Sequence, residues 1–196
     1  MLPRIFCLVD ATDDLSVLPA LAEAGVDGFQ VRAKGLADAA LLAVAESVVG
    51  AVRPLGAVVV VNDRVDIALA SGADGVHLGR ADLPVAVARR CAPGLLIGAT
   101  CRDRDQARQA AADGADYAGF GPVFATASKA GLPAPLGTEA LRVAAGILPL
   151  AGIGGIDPLT ARAVRAAGAE AVAVIGAIWR QRDPVAAARE LVAAVA

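Results

Sequence analysis

The sequence has few of the residues from which metal centres and disulfide frameworks are built. It contains three cysteines, Cys7, Cys91 and Cys101, with no CxxC pair, and a single histidine, His77. A structural zinc site usually takes four such ligands at close spacing, and disulfide scaffolds are built from several paired cysteines. We therefore expect neither, and a reducing cytoplasm is the expected location.

Long apolar runs are also missing. No stretch approaches the roughly 18 unbroken apolar residues that a membrane helix needs, and the apolar segment near the start is too short for a signal peptide. Acidic and basic residues nearly balance, 20 against 18, so the charge gives no reason to expect a nucleic-acid partner. We expect a soluble protein that binds small molecules, and the sequence leaves open whether it forms a homo-oligomer.

Short apolar, β-branched runs alternate along the chain with longer Ala-, Leu- and Arg-rich segments of helical period. This alternation predicts βαβ units around a parallel sheet that is buried on both faces. Eight units predict an α/β fold of the (βα)₈ TIM barrel type, a single domain over residues 1–196, with an open doubly wound sheet as the alternative. The last helix is predicted over 183–195. The strands are predicted near 5–9, 27–32, 57–61, 74–78, 96–99, 116–120, 148–151 and 171–175.

Four segments that lead into even-numbered strands resemble one another, which suggests a two-unit repeat. Each has a glycine where a helix ends and an acidic residue two positions later. The alternative is that these are four ordinary turns between helix and strand. The segments are AGVDGFQV (24–31), SGADGVHL (71–78), DGADYAGF (113–120) and AGAEAVAV (167–174).

The most informative polar residues follow the predicted strands, where barrel enzymes build their sites. Lys34 and Lys129 are the only lysines beside sixteen arginines, and both fall at this rim. A lysine is a compact charge suited to a phosphate oxygen, although two solvated loop lysines or a Schiff base are alternatives. Lys129 lies in a long Pro- and Gly-rich loop, 121–137, which we expect to close over bound ligand as a lid.

Two aspartates at the same rim, Asp63 and Asp82, predict a magnesium site for a diphosphate, with helix N-capping as the alternative for each. Two glycine-bearing turns, Gly152–Gly155 and Gly176, predict a phosphate site, with tight turns as the alternative. His77 also falls at a strand end. One prediction is that it has a catalytic role, and the alternative is that its imidazole only fills a polar position at the rim.

The chain resembles the thiamine phosphate synthase family over nearly its whole length. The resemblance rests on five motifs that occur in order: QVRAK (30–34), VNDRVDIAL (61–69), GADGVHLGRADLP (72–84), GADYAGFGPVFATASK (114–129) and GIGGI (152–156). It implies an enzyme that joins hydroxymethylpyrimidine diphosphate to a thiazole phosphate with the assistance of Mg²⁺. Diphosphate leaves, and the product is thiamine phosphate.

The resemblance also implies roles for individual residues. Gln30 should contact the pyrimidine, Asp63 and Asp82 should hold Mg²⁺, and His77 matches a family active-site histidine of open role. The diphosphate contacts implied are Arg32, Lys34, Asn62, Thr100 and Lys129. The thiazole phosphate contacts implied are Thr126, Ser128, Gly155, Ile175 and Gly176.

Three positions depart from the family pattern. Ala33 replaces a glutamate, Thr100-Cys101-Arg102 replaces a Ser-x-His pattern, and Gly176 replaces a serine or threonine. The sister family, thiazole tautomerase, shares the fold, but its catalytic histidine corresponds to Arg102, and it generally lacks the aspartate supplied here by Asp82. The tautomerase and a non-catalytic barrel that binds a phosphorylated metabolite are the alternative functions.

Overall fold

Eight parallel strands close into a barrel, as the sequence predicted. The computed structural model describes residues 2–126, 131 and 133–196. Each strand pairs with the next along the chain, and the last pairs with the first. The strands are β1 Ile5–Val9, β2 Gly28–Val31, β3 Val58–Asn62, β4 Gly75–Leu78, β5 Leu96–Cys101, β6 Tyr117–Phe120, β7 Leu150–Ile153 and β8 Ala171–Val174.

Helices follow every strand in the described chain, and β8 is followed by two. A short helix comes directly after β8, and the terminal helix matches the one predicted over 183–195. The helices are α1 Leu18–Glu23, α2 Asp38–Val52, α3 Val65–Ala70, α4 Val85–Cys91, α5 Arg104–Ala112, α6 Gly137–Ala144, α7 Pro158–Ala166, α8 Gly176–Trp179 and α9 Pro184–Val195. Within the described residues, no helix has both the length and the apolar character needed to cross a bilayer.

Alternate residues of the strands lie on opposite faces of the sheet, and an apolar cluster is found on each side. In β1, Phe6 and Leu8 belong to the cluster inside the barrel, whereas Ile5, Cys7 and Val9 pack in the layer between sheet and helices. This follows from the period of two in a strand, and it explains why the strands read as continuous apolar runs.

The inside of the barrel is filled around Tyr117. Its ring stacks on Phe6 with the ring centroids 5.4 Å apart. A Cβ atom on Gly98, the neighbour of Tyr117 in register, would lie within 2.5 Å of the tyrosine hydroxyl oxygen. A glycine is therefore required at position 98, because any side chain there would occupy the space of the phenol.

Three of the four similar segments make a common contact at the amino end of the barrel. Their glycines all have positive φ, from +69° at Gly72 to +106° at Gly25. The aspartates of three segments then accept hydrogen bonds from backbone N–H groups near the start of the preceding strand, and each also pairs with an arginine. The N–H bonds are Asp27 with Ile5 (2.9 Å), Asp74 with Val59 (2.8 Å) and Asp116 with Ile97 (2.7 Å).

Candidate active site

A cavity of about 770 Å³ opens at the carboxyl ends of the strands. Every predicted site residue in the described part of the chain lines it, because parallel strands of a barrel all end at one rim. Ser128 and Lys129 lie outside the described residues, as do residues 127, 130 and 132 of the segment predicted to form a lid, so those roles stay predictions. The lining residues predicted from sequence are Gln30, Arg32, Lys34, Asn62, Asp63, His77, Asp82, Thr100, Thr126, Gly155, Ile175 and Gly176.

Two carboxylates and a lysine meet where β2, β3 and β4 end. Lys34 Nζ lies 3.0 Å from Asp63 Oδ2, and the Asp63 carboxylate is within hydrogen-bonding reach of Asp82. Burial raises the pKa of Asp82 above its ordinary value, and the contact with Asp63 raises it further. Two close carboxylates with one lysine leave a local excess of negative charge that a cation would neutralise.

The capping alternative is wrong for both aspartates. Helix α3 begins after Arg64 and α4 begins after Pro84, and neither helix has a side-chain cap. Asp82 instead accepts a 2.7 Å hydrogen bond from the backbone N–H of Gly79, which closes the turn after β4. Asp63 has a φ of 67°, a left-handed conformation that is uncommon outside glycine. The two side chains are thus directed by the loops and not by helix formation.

The single histidine is held by two hydroxyl groups. His77 Nδ1 lies 3.2 Å from the hydroxyl oxygen of Tyr117, and Nε2 lies 3.0 Å from Thr100 Oγ1. A Cβ atom on Gly119 would stand 2.6 Å from the imidazole, so a glycine there makes room for the ring. Burial lowers the pKa of His77 to about 4, against an opposing effect of Asp63. The imidazole is therefore neutral near pH 7.

The Gln30 side chain is buried and fixed by a neighbour. Its Nε2 donates a 2.9 Å hydrogen bond to Asn62 Oδ1 at the end of the adjacent strand. This bond orients both amides and leaves Gln30 Oε1 as a hydrogen-bond acceptor at the cavity wall.

The glycines after β7 have a packing reason of their own. Gly154 and Gly155 have φ values of +98° and +65°, in the left-handed region. A Cβ atom on Gly155 would lie 2.4 Å from the carbonyl oxygen of Ala125. Phe124 N also donates to Gly154 O at 2.9 Å. Backbone conformation and close contact account for these glycines without a ligand, so the phosphate site there stays a prediction.

The sequence and the fold agree with those of known proteins. A family model described as thiamine monophosphate synthase matches residues 5–178. The chain belongs to this family. A solved structure of thiamine phosphate pyrophosphorylase from Pyrococcus furiosus superimposes with a TM-score of 0.87 at 32% identity, covering 98% of this chain and 95% of that one.

Curated relatives of the thiamine monophosphate synthase family match along most of the chain. The thiamine-phosphate synthase of Chlorobium luteolum is 44% identical over 194 residues, covering 96% of this chain and 92% of the relative. The bifunctional thiamine biosynthesis protein ThiM/ThiE of Symbiobacterium thermophilum is 50% identical over 190 residues, or 95% of this chain and 40% of that protein. Membership of the family makes the chain a transferase.

Three arginines that sequence reasoning did not assign to the site, Arg80, Arg102 and Arg180, also line the cavity of this family member. Arg102 Nη2 donates to the carbonyl oxygen of Ala134 at 3.0 Å, and Nη1 lies 3.5 Å from that of Gly121. Arg180 follows α8 and lies over Gly176. The only sequence feature that indicated a place for Arg180 at the cavity was its spacing of four residues from Gly176, since residues one turn apart share a helix face.

Tyr117 was also missed, because it begins a strand and the predictions considered strand ends. Its hydroxyl reaches the cavity because the phenol is long and lies along the barrel interior toward His77. A tyrosine inside a sheet otherwise rich in small residues was the available signal.

Proposed function

We propose that this protein is a thiamine-phosphate synthase that joins hydroxymethylpyrimidine diphosphate to thiazole phosphate. The family membership and the relatives of that name support the proposal. The observation on which it depends is the cluster of Lys34, Asp63 and Asp82 in the same cavity as the Gln30–Asn62 pair. One end of the cavity thus offers charge for a diphosphate beside an amide pair for a heterocycle.

In the proposed reaction, the bond between the pyrimidine methylene carbon and the diphosphate oxygen breaks, and the electron pair leaves with diphosphate. The thiazole nitrogen then forms a bond to the resulting carbocation. Such a step needs stabilisation of the leaving group and positioning, and no nucleophilic side chain. Arg32 and Lys34 supply positive charge for the leaving oxygens, and Asn62 and Thr100 supply hydrogen-bonding groups.

The donor set of Asp63 and Asp82 fits a Mg²⁺ ion that shares its coordination with a substrate. Mg²⁺ is usually bound by one or two carboxylates together with substrate phosphates and water. The described residues contain no group of three or more His, Cys, Asp or Glu side chains placed for a metal. When bound, the ion would neutralise charge on the diphosphate. Lys34, 3.0 Å from Asp63, would fix the orientation of one carboxylate.

His77 orients its neighbours in this proposal and carries no charge at neutral pH. Because its pKa is about 4, the imidazole adds no cation to the diphosphate end. Its Nε2 instead fixes the Thr100 hydroxyl, which we propose contacts the diphosphate. Gln30 Oε1 is the acceptor proposed for a donor group on the pyrimidine.

The test is an incubation of the protein with both substrates, with Mg²⁺ or with a chelator, and with each substrate omitted in turn. We expect thiamine phosphate and diphosphate in equal amounts, only with both substrates and Mg²⁺. Absence of thiamine phosphate under every condition would refute the proposal. Isomerisation of a thiazole substrate without the pyrimidine would instead indicate the tautomerase.

A further inference from the structure

The Arg180 side chain lies across Gly176 at the β8 side of the cavity. A Cβ atom on Gly176 would stand 3.1 Å from Arg180 Cδ and 3.5 Å from its Nε. Both residues line the cavity, as do Gly154 and Gly155 after the neighbouring strand β7. The backbone N–H of Arg180 donates to the carbonyl oxygen of Gly176 at 3.3 Å, which fixes the two residues one turn apart.

Arg180 is the available cation on this side of the cavity. Among the described residues, Arg180 forms no ion pair with a carboxylate. The carboxylate of Asp157, which also lines the cavity, accepts hydrogen bonds from Leu159 N and Thr160 N at the start of α7. The guanidinium of Arg102 is already engaged, because it donates to backbone carbonyl groups of the long loop. A guanidinium without an anionic partner at a cavity wall is suited to an anionic ligand.

We propose that the guanidinium of Arg180 binds the phosphate group of the thiazole substrate and makes the enzyme selective for the phosphorylated form. The inference rests on the proposed function and adds a residue to it. At position 176 the family pattern has a hydroxyl side chain, and this chain has none. Glycine leaves the space that Arg180 occupies, so the pair Gly176–Arg180 replaces a neutral donor by a charged, planar one.

The first experiment measures KM for each substrate separately in wild type, Arg180→Ala and Arg180→Lys. Loss of a charge-assisted contact should raise KM for thiazole phosphate by about tenfold to a hundredfold in Arg180→Ala. KM for the pyrimidine diphosphate should change less than about twofold, since that substrate is proposed to bind beside Lys34, Asp63 and Asp82. Arg180→Lys keeps the charge without the planar fork, and its KM should lie between the other two.

Arg182 provides a matched control because it is exposed, lies two residues further along and does not line the cavity. Arg182→Ala should leave both KM values unchanged. A comparison of Arg180→Ala with a double variant tests the link to Gly176. Gly176→Ser in the Arg180→Ala background restores a hydroxyl and should lower KM for thiazole phosphate relative to Arg180→Ala alone.

Direct binding separates failure of this inference from failure of the proposed reaction. Calorimetry compares thiazole phosphate with the unphosphorylated thiazole alcohol on wild type and Arg180→Ala, with no pyrimidine present. We expect wild type to prefer the phosphate and the variant to lose most of that preference. Equal preference in both proteins, or equal effects of Arg180→Ala on the two KM values, would overturn the role of Arg180. A wild type that makes no thiamine phosphate would refute only the reaction.

Discussion

The two ends of the barrel use aspartates in opposite ways. At the amino end, Asp27, Asp74 and Asp116 each accept a backbone N–H and pair with an arginine. At the carboxyl end, Asp63 and Asp82 lie against each other, and the pKa of Asp82 is raised by burial and by its neighbour. Carboxylates with complete partners stabilise the fold, whereas carboxylates in mutual repulsion gain most from a ligand.

The largest effect should come from the carboxyl end. Asp63→Ala and Asp82→Ala should each lower kcat/KM about 100-fold or more, because metal ligands and charge stabilisation are lost together. Melting temperature should fall only by a small amount, since relief of the repulsion between the carboxylates offsets the lost bond from Gly79 N–H and the strain of alanine at the positive φ of position 63. Steady-state assays at several Mg²⁺ concentrations, together with thermal melts, test this.

Asp82→Asn refines the same prediction because it keeps an acceptor for Gly79 N–H while it removes the charge. It should be as inactive as Asp82→Ala. Full activity in all three variants would remove the metal site from the proposal and the contrast between the two ends with it.

The next effect concerns acid and the partly buried histidine. The pKa of His77 is about 4 in the folded protein against an ordinary value of 6.5, so the unfolded chain binds the proton more tightly. Stability contributed by the neutral imidazole is present above pH about 6.5 and is lost as the pH falls toward 4. We expect a loss of up to about 3 kcal/mol, since one pKa unit corresponds to about 1.4 kcal/mol and the imidazole is partly buried.

Urea unfolding of wild type and His77→Gln at a series of pH values measures this loss. The variant should show a shallower decline between pH 6.5 and 4. Asp82, whose pKa is raised, has the opposite sign at low pH, but it is common to both proteins and cancels in the difference. Parallel curves would show that His77 does not titrate as expected.

The smallest effect belongs to the amino end and should appear in stability alone. Asp116→Ala removes the acceptor for Ile97 N–H and the 2.6 Å ion pair with Arg89. We expect a loss of about 1–2 kcal/mol in the free energy of unfolding, since the side chain is partly exposed, with kcat and KM unchanged. Asp105→Ala, which breaks only the exposed pair with Arg108, is the control and should cost less than about 0.5 kcal/mol. A fall in turnover for Asp116→Ala would contradict the division of roles.

The fold could be predicted because the pattern is local: eight apolar runs alternate with helical segments. The predicted strand bounds agree with the observed ones within two residues. Residues that end strands could be placed together for the same reason, since parallel strands share a rim. The side-chain partners of Asp63 and Asp82 could not be predicted. Capping and metal binding use the same residue type at the same position, and only the turns after β3 and β4 distinguish them.

Arg180 and Tyr117 escaped prediction for a related reason. Each reaches the cavity from outside the strand ends, one from the residue after α8 and the other along the barrel interior. The glycines after β7 show the reverse case. Their pattern predicted a phosphate site, and contacts with Phe124 and Ala125, about thirty residues earlier in the chain, already require them.

The aspartate contacts at the amino end also divide the barrel into modules. Asp27 joins β2 to β1, Asp74 joins β4 to β3, and Asp116 joins β6 to β5. Each such bond lies within a pair of strands and leaves the junctions between pairs without this link. A circular permutant opened between two pairs keeps all three links within continuous segments of chain, whereas one opened inside any of these three pairs separates an aspartate from the strand that it contacts. The barrel is therefore better suited to rearrangement by strand pairs than by single βα units.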